Sequence, residues 1–254
     1  MKAHARAWHI YDDFYRATQQ GECGITLDSG WIEPKTNETQ DIEAAERARQ
    51  FKLGWFAHPI FSATGDYPSE MKEVVARHSA EEGLSESRLP EFDAAWISYI
   101  KGKKQTCSCC SKSDPRSFAG SSDFFGLNHY TTGLCEYSIG GDIPSFVRDQ
   151  DNTQSSDPSW PESEAAPWIK VVPWGFRKLL NWIKDEYNNP RLIVTENGFA
   201  DYGELNDAGR VEYYRFGLYH VDFSDDARPR TQKESARFFA QLISDNGFPA
   251  PKTP

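Results

Sequence analysis

The sequence predicts an α/β fold with parallel strands, and three observations carry that expectation. Short apolar runs ("GITL", "DFFGL", "RLIV") alternate with longer stretches of helical period. Two of these runs end in polar side chains, Asn128-His129-Tyr130 and Thr195-Glu196-Asn197, as strands do when their C-terminal ends carry chemistry. Hydrophobic residues make up only 38% of the 254 positions, but 8 Trp, 11 Tyr and 16 Phe supply the buried area a core needs.

Residues 1–15 read as the interior of a helix, with Trp8, Tyr11 and Tyr15 spaced for one face. An uncapped start of this kind implies that something upstream is missing. Gly24 to Leu27 is a short strand closed by Asp and Gly. "DIEAAERARQFKLGWFAHPIF" is a helix with Ile42, Ala45, Ala48 and Leu53 on one face and Gly54 as its stop. "PSEMKEVVARHSAEEG" is a second, begun by Pro68 and ended by Gly83. "LPEFDAAWISYIKG" is a third, with Phe92, Trp96 and Ile100 four apart.

Residues 103–122 ("KKQTCSCCSKSDPRSFAGSS") are polar, small and serine-rich, and read as an exposed insertion. Cys107, Cys109 and Cys110 lack a second ligand pair, so no metal site is expected. With Cys23 and Cys135 they form no disulfide framework, which favours a reducing compartment. After the strand at 123–132, residues 133–167 read as a long loop rich in Ser, Asp and Pro. "VVPWGFRKLLNWIKDEYNNP" is an amphipathic helix with Phe176, Leu179, Leu180, Ile183 and Tyr187 on one face. Trp168, Trp174 and Trp182 read as packing residues.

The formal charge of −10 argues against a nucleic-acid or anionic-membrane partner. No apolar run approaches the roughly 18 residues of a membrane span. No cofactor is implied. At the strand ends, a carboxylate (Glu196) beside a tyrosine hydroxyl (Tyr130) and an amide (Asn128) is a nucleophile with supporting donors, since such bonds hold a carboxylate ionised and oriented. Asn-Gly is equally a turn signal, so Glu196 also fits a solvated residue ahead of a turn. His129 fits a satisfied core histidine, and Glu33-Pro34 is a second carboxylate near a strand end.

"LIVTENGFAD", "DFFGLNHYTT", "GWFAHPIFSATGDYP", "LSESRLPEF" and "NGFP" together resemble glycoside hydrolase family 1, the β-glucosidase and lactase-type enzymes. The resemblance implies a (β/α)8 barrel, here incomplete, with about the fifth to seventh strands present and the first four and the eighth missing. It implies a single barrel domain over 1–254 that is interrupted by 103–122. It also implies hydrolysis of β-linked glycosides with retention, by two carboxylates about 5–5.5 Å apart. Thr195 to Gly198 match the family's nucleophile motif, which makes Glu196 the nucleophile. Asn128 and Tyr130 match its Asn-x-Tyr motif, with Asn128 lining the sugar subsite and Tyr130 donating to Glu196.

The family's acid/base sits in an Asn-Glu-Pro motif, and no Asn-Glu-Pro occurs in this sequence. Ile32 stands where the motif requires Asn, so Glu33 is not a copy of it. "GRVEYYR" (209–215) also runs directly into "FGLYHVDFSDD", which the family separates by several dozen residues. Two readings are therefore open. One is a β-glycosidase by descent with a partial, impaired chain. The other is a non-catalytic glycosidase-like binding protein or an aberrant splice product.

Overall fold

The computed structural model describes residues 1–102, 120–141, 143–200 and 218–245, and each apolar run named above becomes a strand in it. The chain starts with α1 (Lys2–Ile10), a wide π turn (Tyr11–Tyr15) and α2 (Arg16–Gln19). Strand β1 (Ile25–Asp28) leads into β2 (Trp31–Pro34), then α3 (Thr39–Arg49), a second wide turn (Gln50–Gly54) and α4 (Trp55–Phe61). Helices α5 (Ser69–Glu81) and α6 (Ala94–Lys101) precede β3 (Phe125–His129), β4 (Thr132–Tyr137) and β5 (Asn152–Ser155). The described elements end with α7 (Pro173–Glu186), β6 (Leu192–Asn197), β7 (Tyr219–Val221), β8 (Arg230–Gln232) and α8 (Glu234–Asp245). The segment 103–119, its three cysteines, and "GRVEYYR" lie outside the described residues.

The chain divides into two compact units. The first comprises Met1–Trp160 and Val172–Glu196. Its main sheet has the order β1-β3-β6. Strands β1 and β3 are parallel, pairing Ile25 with Phe125 through Asp28 with Asn128. Phe125 N donates to Arg191 O at 2.8 Å, and Thr195 reaches Asn128 further along, so β6 runs in the same direction. A second sheet, β2-β4-β5, extends the first: β2 and β4 are parallel and β5 is antiparallel to β4.

Side-chain alternation sorts the main sheet into two faces. Leu27, Phe125 and Leu127 pack with Leu53, Ala57, Leu179, Ile183 and Tyr187 in the largest buried cluster. Asp28 and Asn128 therefore lie on the opposite face. Three alanines of α3 (Ala44, Ala45, Ala48) let that helix approach β2 and β4 closely, over Ile32 and Cys135. The second unit comprises Pro161–Val171 and the described residues from Asn197 onward. It holds a Glu162–Lys170 bridge, the antiparallel β7–β8 hairpin and α8, and Ser163 Oγ donates to Ala200 O at 2.6 Å.

Several local expectations are corrected. Gly54 does not end its helix, because the chain passes through the wide turn and continues to Phe61. The missing Cβ there serves close packing: a Cβ would strike the Gln50 side chain and touch Pro68. Within α3 the buried face runs through Asp41, Ala44, Ala45, Ala48 and Arg49, which leaves Ile42 46% exposed. The wide turn at Tyr11–Tyr15 likewise takes Tyr15 off the face that buries Trp8. Helix α6 starts only at Ala94, since Asp93 accepts from Trp96 N at 2.7 Å and caps it there. Phe92 still packs beside Trp96 and Ile100.

The region read as one long loop contains β4 and β5. Strand β4 pairs with β2, about a hundred residues earlier in the chain, and β5 then pairs with β4, so no local period announced them. Helix α7 runs as expected and ends where Asn188 and Asn189 take left-handed φ of 54° and 56°. Of the three tryptophans read as packing, only Trp182 packs against the core, donating to Glu46 at 3.2 Å. Trp168 and Trp174 are exposed.

Burial at the α3–β4 contact has a chemical consequence. It pushes the Cys135 thiol up to about 11, outweighing the nearby Arg47 and Arg49. A buried neutral thiol is a poor nucleophile. In native protein near pH 8, Cys135 is therefore expected to escape iodoacetamide, and to react once urea exposes it. Peptide mass mapping before and after denaturation checks this, and prompt native labelling of Cys135 would contradict the packing described.

Candidate active site

The parallel register places three strand ends side by side. Asp28 closes β1, Asn128 lies level with it on β3, and Thr195 and Glu196 follow on β6. Strand β6 forms because Leu192-Ile193-Val194 supplies branched side chains suited to a pleated surface. Leu192 packs on the helix-side core and anchors the strand there. Beyond Val194 the side chains turn polar and exposed, which frees Thr195 and Glu196 for contacts with β3.

Two hydrogen bonds tie the strand ends together. The Tyr130 hydroxyl donates to Glu196 Oε2. Thr195 Oγ1 donates to Asn128 Oδ1 at 2.7 Å. Tyr130 thus fixes the carboxylate's orientation, while Thr195 fixes the amide so that its NH2 group points away from the shared oxygen. The three residues singled out from sequence, Asn128, Tyr130 and Glu196, stand together on adjacent strands.

His129, between Asn128 and Tyr130, takes no place among them. It is fully buried, stacks on Phe176 at 4.5 Å with rings 8° apart, and places Nδ1 3.0 Å from Ser29 O. Burial lowers its pKa despite the bond to Ser29, so it packs as a neutral ring. This is the core-histidine alternative. Glu33 is also occupied structurally. Its two oxygens accept from Trp31 Nε1 at 2.5 Å and from Lys178 Nζ at 2.6 Å, tying β2 to α7.

Asp28, which the sequence offers only as the punctuation that closes a strand, lies beside these strand ends. Its carboxylate lies 3.1 Å from Lys52 Nζ, and its backbone is level with Asn128. The available signal was the polar residue ending "GITLD", the same feature that marked the other two strands. Among the described residues, no group of three or more His, Cys, Asp or Glu is arranged to hold a metal ion. No described helix is long and apolar enough to cross a membrane.

Parallel strands covered by helices on one face, with polar side chains at their C-terminal ends, fit part of an α/β barrel. Comparison with known proteins makes the class specific. The model of glycosyl hydrolase family 1 matches residues 1–215 and 213–248, and the chain belongs to that family. It is 40% identical to rat lactase/phlorizin hydrolase over 99% of its length, and 36% identical to human cytosolic beta-glucosidase over 98%. It spans 14% of the first and 58% of the second. Among solved structures, aphid myrosinase superposes with a TM-score of 0.79 at 34% identity, covering 95% of this chain and 56% of that one. The fold is a partial (β/α)8 barrel.

Proposed function

We propose that this chain carries the nucleophile side of a retaining β-glycosidase site, acting on β-glucoside-type substrates. One observation carries the reading: the Tyr130 hydroxyl is bonded to the Glu196 carboxylate at the C-terminal ends of neighbouring strands. Glu196 attacks the anomeric carbon, the bond to the leaving oxygen breaks, and a covalent glycosyl-enzyme forms. Water then displaces Glu196 from the opposite side, so configuration is retained over the two steps. Tyr130 holds the attacking oxygen in line, and Asn128, fixed by Thr195, offers its amide N–H groups to a sugar hydroxyl. Residues 1–254 act as one barrel domain in this reading, with 103–122 as an insertion.

The acid/base of such a mechanism is not among these residues, since the sequence has no Asn-Glu-Pro. General acid assistance is typically worth about 10²–10⁴-fold, so the chain by itself is impaired on glycosides with poor leaving groups. That same feature favours the second reading, a glycosidase-like protein that binds sugars without cleaving them. An activated dinitrophenyl β-glucoside separates the two because its leaving group needs little protonation. The glycosidase reading expects a burst of dinitrophenolate and a glycosyl adduct on the peptide containing Glu196. Saturable binding of the glycoside with neither burst nor adduct would favour the binding protein.

A further inference from the structure

We propose that Asn37, on the loop between β2 and α3, is the acceptor of an N-linked glycan. Asn37-Glu38-Thr39 is an Asn-x-Thr triplet without proline in the middle, and no other asparagine in the sequence begins an Asn-x-Ser or Asn-x-Thr triplet. A three-residue pattern carries weight only where the folded chain leaves the acceptor within reach, and this loop does. Residues 35–40 are all exposed, between the buried Trp31 and Ile32 on one side and the buried Asp41 on the other.

The loop is held by residues other than the acceptor pair. Lys35 N donates to Cys135 O at 2.7 Å and Lys35 Nζ pairs with Glu136 at 2.8 Å, which fixes the end of β2 on β4. Thr36 Oγ1 donates to Asp41 Oδ2 at 2.6 Å and accepts from Glu38 N at 3.1 Å. The other Asp41 oxygen accepts from Tyr137 N at 2.8 Å. An asparagine ahead of a helix commonly serves as its cap. Here Glu38 holds the cap position without a side-chain bond, and among the described residues neither the Asn37 amide nor the Thr39 hydroxyl has a hydrogen-bond partner. Glu38 is extended, with φ of −67° and ψ of 140°. Side chains on either side of an extended residue share a face, so Asn37 and Thr39 stand together in solvent.

That shared face suits the transfer. The co-reactant is an oligosaccharide joined through its anomeric carbon to a lipid diphosphate, and a separate transferase brings it to the triplet. Asn37 Nδ2 attacks that carbon and loses a proton. The carbon–nitrogen bond forms, and the carbon–oxygen bond breaks with its electron pair leaving on the lipid diphosphate. The Thr39 hydroxyl gives the transferase a second contact beside the amide. Such transfer takes place in the oxidising secretory lumen, whereas the cysteine pattern favours a reducing compartment. The described cysteines are nevertheless built to survive there. Cys135 is buried with its thiol pushed up to about 11, and burial also raises the half-buried Cys23 thiol, with Asp123 adding to the effect. Neutral, shielded thiols are slow to oxidise. None of the strand-end residues takes part, so a glycan on Asn37 and catalysis by Glu196 stand or fall separately.

The test uses the protein purified from the cells that make it. Trypsin releases residues 36–47, which hold Asn37 and no other asparagine. The expected result is a peptide heavier by hexose and N-acetylhexosamine units, which peptide N-glycosidase converts to the bare peptide with aspartate at position 37. Asn37→Gln and Thr39→Ala each abolish the glycan and speed the chain on a denaturing gel, while Thr39→Ser keeps it. Thr39→Ala is the sharper variant, because it leaves the acceptor amide in place and removes only the hydroxyl. Recovery of 36–47 wholly at its unmodified mass, without glycosidase, would overturn the proposal. So would aspartate at position 37 before glycosidase treatment, which reports deamidation, or a mass addition that persists in Thr39→Ala. Both positions are exposed and unbonded, so the variants are expected to fold, and the parent's peptide map decides the matter even without them.

Discussion

Glu196→Gln is expected to abolish the dinitrophenolate burst and the glycosyl adduct, lowering the rate of the first step on the order of 10³-fold or more. An amide keeps the shape of the carboxylate and can still accept from Tyr130, so the fold is preserved while the attacking charge is lost. The matched control is Glu33→Gln. Its oxygens hold Trp31 and Lys178 on the helix side of the sheet, and its loss leaves the burst in place. A burst undiminished in Glu196→Gln, measured at equal folded concentration, would remove Glu196 from the nucleophile role.

The second large effect concerns the fold. Phe125→Ala is expected to destabilise the first unit by about 3–5 kcal/mol, the range for deleting a fully buried aromatic side chain. Phe125 is 0% exposed and sits at the start of β3, between Phe61 at 4.7 Å and Tyr187 at 5.9 Å. Its removal opens a cavity where the strand, α4 and the end of α7 meet. The strand that presents Asn128 and Tyr130 would lose its anchor, so loss of stability and loss of the site are coupled here. Urea unfolding of the variant and parent measures the difference, and a change under about 1 kcal/mol would show that Phe125 is not central to the packing.

Much of the site was legible before any coordinates. "RLIVTENG" and "FFGLNHY" announce strands by their branched and aromatic residues, and their polar ends mark the positions where a parallel fold puts its chemistry. Local pattern alone could not choose between Glu196 as a reactive group and Glu196 as a residue ahead of an Asn-Gly turn. It could not separate His129 from its neighbours either, because alternation is only a two-way choice and the strand's register sets which way is which. The resemblance to a known family adds the expectation that Asn128, Tyr130 and Glu196 act as one set, and the bond from Tyr130 to Glu196 is consistent with it.

What the sequence by itself determined were the features held in short stretches of chain. These are the parallel-strand alternation, the apolar face of α7, the limits of α5 set by Pro68 and Gly83, and the three polar residues at the strand ends. Tertiary structure decided whatever depends on partners distant in the chain. Strands β4 and β5 exist because β2 offers β4 an edge, and Gly54 sits between helical stretches where the Gln50 side chain and Pro68 leave no room for a Cβ. Trp174 is exposed while Trp182 on the same helix is packed, because only one faces the core. His78 reads in sequence as an ordinary helix residue. It becomes a buried link between two aspartates only when residues 149 and 151 fold back onto it, since its partners lie some seventy residues away in the chain.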